Sequence, residues 1–335
     1  LSNDVPVVTQ WIIFSNGDTV SEALISHLQA EGQRTLIVQP GDEVVQQENG
    51  RWQLNPAQPD QFVRLLGHAE NNAQIVYLWG GGSEPLSQAQ THASQGLLHL
   101  VQALARLSLS HSPQLWIVTQ RATAVTAVDT SINISQAPLW GLGRVIALEH
   151  AELWGGLVDV EPDAFDAELV LAHLRAAAGE DQAAFRYGQH YVARLAHSQP
   201  KPTDAGLPVH THGTYLITGG LGDLGLVFAR QLVQQGARHL LLLGRRPPST
   251  AAAAVIQELT EAKVHVEVML ADVADAAQVT AVLAHMSATM PPLRGVIHAA
   301  GVLQDSILLN QDWSQFERVL APKVTGGWNL HLHTQ

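Results

Sequence analysis

An apolar stretch, Thr214-Tyr215-Leu216-Ile217, runs into Thr218-Gly219-Gly220-Leu221-Gly222-Asp223-Leu224-Gly225, and a helical pattern follows from Leu224 to Gln235. The spacing Gly220-x-Gly222-x-x-Gly225 between a strand and a helix constrains this chain more than any other feature. One glycine makes a tight turn, one lets a ligand approach the backbone, and one allows close helix–strand packing. The helix then starts with free N–H groups and the positive end of its dipole, which suits a phosphate. The strand–turn–helix context favours this reading over a tight turn without a ligand.

The rest of the chain repeats that rhythm. Trp11-Ile12-Ile13-Phe14, Thr35-Leu36-Ile37-Val38, Ile75–Trp79, Leu115–Val118 and Gly156–Val160 read as buried strands. Ser21 to Ala30, Ser94 to Leu107, Trp140 to His150 and Ala167 to Ala178 read as helices between or after them. Tyr187 to Leu195 alternates like a strand or hairpin arm. Ser198–Asp204 is a Pro-rich polar linker. Such β-α-β alternation implies parallel sheets with helices on both faces. We therefore expect an α/β chain of two tandem Rossmann-like, doubly wound subdomains, divided as 1–200 and 201–335.

The halves overlay at an offset of 204 residues, which sets Gly32 on Gly236, Leu28 on Leu232 and Val38 on Leu242. This fits a duplication, and it also fits the rhythm that any two β-α-β units share. At that offset Gly222 falls on Asp18, Gly225 on Ser21, and Arg245-Arg246 on Gly41-Asp42. The first half thus has the architecture without the phosphate chemistry.

In the second half the next strand ends in Leu243-Gly244-Arg245-Arg246. An acidic residue here would bind a ribose 2′-OH, whereas arginine accommodates a 2′-phosphate. The pair favours NADPH over NADH; a solvated basic loop is the alternative. Asp272 and Val273 end a third strand, where a carboxylate can meet an adenine amino group. His298-Ala299-Ala300-Gly301 ends a fourth, with small residues beside a cofactor ribose.

Together, Thr218–Gly225, Leu243–Arg246, Ala271-Asp272-Val273 and His298–Val302 resemble short-chain dehydrogenase/reductases. Pro138–His150 and Ala321-Pro322-Lys323–His331 narrow the resemblance to ketoreductase domains of modular polyketide synthases. That family pairs a catalytically silent subdomain with a catalytic one. It implies NADPH-dependent reduction of a β-ketoacyl group, carried on the phosphopantetheine arm of an acyl carrier protein, to a β-hydroxyacyl group. It also implies neighbouring synthase domains and a cytoplasmic location.

By the same resemblance Lys323, one of three lysines with Lys201 and Lys263, is the catalytic lysine; a plain surface lysine is the alternative. Pro322 suits a first helical turn, and Gly326 and Gly327 suit close packing. Leu303-Gln304-Asp305 stands where the family has its stereochemical marker. Asp305 leans towards a D-configured hydroxyl, or else caps a turn. The family's Ser and Tyr are expected a few dozen residues after Lys323, beyond Gln335. The four tyrosines, Tyr77, Tyr187, Tyr191 and Tyr215, lack the following Lys or Asn of that motif. The second subdomain is therefore read as incomplete. A cofactor-binding fragment without turnover is the alternative function.

Composition excludes other classes. With 18 Lys+Arg against 30 Asp+Glu the net charge is -12, unlike a duplex nucleic-acid binder. There is no Cys for a disulfide scaffold, a thiolate zinc site or a Cys nucleophile. His210-Thr211-His212 and His331-Leu332-His333 have no supporting ligand set for a metal. No apolar run reaches the roughly 18–20 residues of a membrane span. Leu1-Ser2-Asn3-Asp4 has neither an initiator Met nor a basic leader, and reads as the start of a cut piece.

Overall fold

The computed structural model describes residues 8–70, 72–80, 86–107, 113–127, 129, 131–176, 179–197 and 208–335. The expected linker at 198–204 and the first residues lie outside them. The chain divides into one unit of Leu1–Ala196 with Ile307–Asn310, and a second of His197–Ser306 with Gln311–Gln335.

The first unit contains β1 (Gln10–Phe14), α1 (Thr19–Ala30), β2 (Thr35–Pro40), β3 (Val45–Gln46), β4 (Trp52–Leu54), α2 (Pro59–Leu66) and β5 (Ala73–Tyr77). It continues with α3 (Leu86–Arg106), β6 (Gln114–Gln120), α4 (Ala137–Glu149), β7 (Trp154–Val160), α5 (Ala167–Arg175), β8 (Gln182–Arg186) and β9 (Gln189–Val192). One sheet runs in the order β3-β4-β2-β1-β5-β6-β7-β8-β9. Its central pairs are parallel, and β3 and β9 are antiparallel edges. Parallel strands are covered on both faces, which is why β1 and β5 are buried along their whole length.

Three expectations shift. The strand pair near residue 190 is β8 and β9, with Tyr187-Gly188 as its turn; Tyr187 has a φ of 49° and is not in a strand. Helix α3 starts well before Ser94, because its buried face carries Gln90, Ser94, Gln95 and His99, which hide the apolar period. Helix α5 ends at Arg175, and residues 177 and 178 lie outside the described set.

The second unit contains β10 (Thr214–Thr218), α6 (Asp223–Gln234), β11 (His239–Gly244), α7 (Thr250–Glu261), β12 (His265–Leu270), α8 (Ala276–Thr289) and β13 (Leu293–His298), then α9 (Trp313–Leu320) and α10 (Gly326–His333). Its sheet is β12-β11-β10-β13, parallel throughout. The strand order reverses between β10 and β13. Ligands bind open α/β sheets at such a switch point, outside the carboxyl ends of the strands.

The 204-residue offset maps β1 on β10, α1 on α6 and β2 on β11 end to end. Gly32 and Gly236 both follow their helix in left-handed backbone, φ 73° and 109°. Beyond β2 the register fails, because the first unit turns into β3 and β4 where the second forms α7.

Burial pushes three imidazoles below their ordinary range. His99 lies in the core with Arg106 nearby, His173 packs on Trp116, Phe185 and His190, and His239 adjoins His265 and His212. The unfolded chain therefore binds more protons than the folded one as pH falls. We expect Tm to hold above about pH 7.5 and to fall as pH drops through about 6.5, the unperturbed imidazole value. A pH series of thermal melts checks this. A Tm that rises towards pH 5.5 contradicts it.

Candidate functional site

The site is built at the carboxyl ends of β10 to β13. Thr218 ends β10, and its carbonyl accepts from Ala299 N at 3.0 Å. Gly219 follows with φ 65°, and a Cβ there would stand 2.7 Å from the Ala299 carbonyl oxygen. Gly220 N donates to the Leu243 carbonyl at 3.0 Å, tying the turn to β11. A Cβ on Gly225 would meet Gly219 O at 2.3 Å, so helix α6 packs on the turn at a distance only glycine allows.

Gly222 is different. It is the N-cap of α6, no side chain caps this helix, and a Cβ on it would meet nothing closer than Gly219 O at 3.4 Å. Three other helices of this unit are capped by their own side chains, while α10 continues directly from the turn before it without one. Ser249 caps α7, Asp275 caps α8 and Asp312 caps α9. The first N–H groups of α6 thus meet no capping side chain.

The first unit shows the converse. Asp18 replaces Gly222 as the N-cap of α1, and its Oδ1 accepts from Ser21 N at 2.8 Å. Its Oδ2 accepts from Gln120 Nε2 at 2.9 Å. Ser15 Oγ donates to Ser21 Oγ at 2.8 Å where the second unit has Gly219 and Gly225. The chain's own carboxylate fills the position that an anion would take.

A cleft of about 480 Å³ opens beside the second unit's turn. Of the expected binding residues, Gly219, Leu221, Gly222, Arg245, Arg246, Asp272, Val273, Ala299, Ala300 and Gly301 line it. Thr218, Gly220, Asp223, Leu224 and Gly225 shape the turn without lining the cleft. Sequence reasoning missed Ser249, Pro247 and Pro322 on its wall. Arg245 Nη1 stands 3.8 Å from Asp272 Oδ2, a loose exposed pair. Asp272 Oδ1 also accepts from Ala274 N at 2.9 Å. Arg246 is exposed and has no acidic partner among the described residues. These features fit a dinucleotide carrying a 2′-phosphate: an uncapped helix start, a cradle that side chains would fill, and an unpaired guanidinium at the end of β11.

Lys323 stands on a π-helical turn, Ala321–Thr325, between α9 and α10. Pro322 therefore lies inside a continuous helical run, not in a first turn. Proline lacks an N–H and its ring crowds the preceding turn, so the helix widens there. Ala321 N still bonds Glu317 O, and Gly326 N bonds Ala321 O. The lysine stem passes the cleft mouth, since a Cβ on Gly301 would lie 3.6 Å from Lys323 Cε. Gly326 packs on Val273, where a Cβ would come within 2.6 Å of Cγ2. Gly327 has no such contact; its nearest neighbour is His298 Cδ2 at 4.0 Å. Asn329, which the sequence did not suggest, donates to the Val273 carbonyl at 2.9 Å and ties α10 to the segment after β12.

Asp305 is exposed, and its carboxylate caps no turn among the described residues. Gln311 Nε2 donates to the Gln304 and Ser306 carbonyls and holds the segment around it. Among the described residues no tyrosine lines the cleft. The Tyr215 hydroxyl, in the same unit, accepts from His210 N near the start of β10.

Residues 27–195, half of the chain, match the family described as "Polyketide synthase extender module SpnB, Rossmann fold domain", and residues 213–335 match the "KR domain" family. The chain belongs to the ketoreductase domains of modular polyketide synthases. Among its relatives in this family, polyketide synthase GfsA of Streptomyces halstedii is 40% identical over 235 residues, which is 70% of this chain and 3% of GfsA. GfsB of the same organism is 33% identical over 345 residues, 99% of this chain and 6% of GfsB. The chain thus spans a small part of these synthases. The solved first ketoreductase of the tylosin PKS superposes with a TM-score of 0.78 at 29% identity, covering 97% of this chain and 67% of that one. An A1-type ketoreductase gives 0.80 at 28% identity, covering 98% and 68%. Two Rossmann-type units are therefore a property this chain shares with ketoreductases. Among the described residues no helix is long and apolar enough to cross a membrane.

Proposed function

We propose that the second unit binds NADPH and serves the reduction of a β-ketoacyl group, held on the phosphopantetheine arm of an acyl carrier protein, to a β-hydroxyacyl group. Neighbouring synthase domains would deliver and collect the chain, and the first unit is a structural partner. The observation that carries this reading is the uncapped start of α6 beside Arg246, set against α1 filled by Asp18.

When bound, the nicotinamide supplies hydride to the ketone carbon. The chain's own residues would hold the cofactor and place the lysine. The turn Thr218–Gly225 receives the pyrophosphate on the first N–H groups of α6. Arg245 and Arg246 receive the 2′-phosphate, and Asp272 with Val273 borders the adenine. Ala299, Ala300 and Gly301 leave room for the ribose. Lys323, beside Gly301, would supply a cation that lowers the pKa of a phenolic donor, the role its resemblance to the family implies. Asp305, exposed in the segment after Gly301, favours the D-configured hydroxyl by its resemblance to the family's marker.

Replacing Arg246 tests the cofactor choice. A charge-assisted arginine–phosphate contact is worth about 1.5–3 kcal/mol, or roughly tenfold to a hundredfold in Kd. Arg246→Ala is expected to weaken NADPH by that factor and to leave NADH within about twofold. Equal losses for both cofactors would show that the guanidinium does not read the 2′-phosphate.

A cofactor-binding module without turnover is the second reading, favoured by the absence of a tyrosine from the cleft lining among the described residues. Reduction of a β-ketoacyl thioester by the 335-residue chain separates the two. Turnover rejects the second reading, and NADPH binding without turnover supports it.

A further inference from the structure

We propose that His298 is a positioning residue for Lys323, a latch that joins the phosphate turn to the lysine-bearing turn. The inference rests on the role given to Lys323 above. His298 is the last residue of β13. Its Nε2 lies 2.9 Å from the Pro322 carbonyl oxygen, and its Nδ1 lies 2.6 Å from Thr218 Oγ1. A carbonyl only accepts, so Nε2 carries a proton. Thr218 Oγ1 in turn accepts from Ala300 N at 3.3 Å, which leaves its own proton for Nδ1. The chain of donors runs from Ala300 N–H through the Thr218 hydroxyl and the imidazole to Pro322.

The π turn explains why that carbonyl is free. In an α-helix Pro322 O would accept from Gly326 N, but Gly326 N bonds Ala321 O instead. The widened turn releases one carbonyl, and His298 takes it. Lys323 is the next residue, and its stem passes Gly301 three residues beyond His298. Thr218 at the other end opens the glycine turn. One side chain thus sets the height of Lys323 over the cleft relative to the turn that holds the phosphates. An imidazole suits this, since in the Nε2–H tautomer it is rigid, accepts on one side and donates on the other.

The test uses the full chain and needs no cofactor for its first part. The chain has three lysines, so reductive methylation with a ¹³C label gives three side-chain signals, and Lys323→Arg assigns one of them. His298→Phe and Thr218→Val are each expected to move or sharpen the Lys323 signal and to leave Lys263 unchanged. His298→Gln, whose amide can also accept and donate, restores the wild-type signal at least in part. A Lys323 signal indifferent to both His298→Phe and Thr218→Val overturns the proposal, as does an imidazole that ¹⁵N spectra show protonated at Nδ1 alone.

The second part is a double-mutant cycle in NADPH binding. If His298 acts through Lys323, His298→Phe and Lys323→Ala each weaken binding about tenfold, and the double variant is no weaker than about twofold beyond Lys323→Ala. Multiplying losses mean that His298 acts independently and overturn the latch. A wild-type chain that binds no NADPH overturns the cofactor reading instead, while the lysine signals still decide the latch.

Discussion

Gly222→Asp is expected to abolish NADPH binding while leaving the protein slightly more stable. The substitution gives α6 the N-cap that α1 already has in Asp18. Gly222 has φ -91° and ψ 167°, an extended geometry that aspartate adopts freely, and a Cβ there meets Gly219 O at an ordinary 3.4 Å. The carboxylate would accept from the first turn of α6 as Asp18 accepts from Ser21 N. Aspartate is a better N-cap than glycine by a few tenths of a kcal/mol. The same carboxylate would occupy the donors meant for phosphate and repel its charge. Losing them is worth at least about 3 kcal/mol, so Kd should rise more than a hundredfold. Calorimetric titration and a thermal melt read both effects on one sample. Tighter folding with lost binding has no explanation in general damage, and retained binding would mean that the phosphates sit elsewhere.

The second large effect lies in the first unit. Arg186 is 2% exposed and Asp159 fully buried. Arg186 Nη2 donates to Asp159 Oδ2 at 2.5 Å, and Nε reaches Asp129 Oδ2 at 3.3 Å. Burial pushes the Asp159 carboxyl upward. Thr119 Oγ1 and the Ala122 and Thr123 amides join Arg186 in donating to it, which opposes that rise. Arg186 also donates to the Asp159, Phe185 and Thr123 carbonyls, so the end of β8 is fastened to the end of β7 and the loop after β6. Arg186→Met strands two acids. Removing one partner of a buried pair costs about 3–5 kcal/mol. In a unit of this size that lowers Tm by on the order of 10 °C. Arg186→Lys should not rescue it, since an ammonium cannot serve these acceptors at once. A loss below about 1 kcal/mol in denaturant unfolding would show that the network contributes little.

Much of this was legible in the residues. The continuous apolar runs Trp11–Phe14 and Leu240–Leu243 are what parallel, doubly covered strands require, and both are buried. The glycine spacing at 220, 222 and 225 fixed both the turn and the helix start, because each glycine answers a separate steric demand. The offset of 204 residues carried over to the end of β2, since capping and turn chemistry are local.

What was not legible depends on long-range contacts. The short strands Val45–Gln46 and Trp52–Leu54 have no period to read at their length. The polar face of α3 is buried against partners far along the chain; His99 Nδ1, for instance, donates to the Pro56 carbonyl at 2.8 Å. The π turn at Pro322 and the roles of His298 and Asn329 need elements brought together from opposite ends of the second unit. A sequence shows a histidine at a strand end, but not the carbonyl that it meets.

A diffraction structure of the chain with NADPH tests the central claim most directly. The account predicts one dinucleotide per chain, its pyrophosphate on the first turn of α6, its 2′-phosphate against Arg246, and its nicotinamide end towards Lys323. A pyrophosphate at the start of α1, or a 2′-phosphate away from both Arg245 and Arg246, would contradict it.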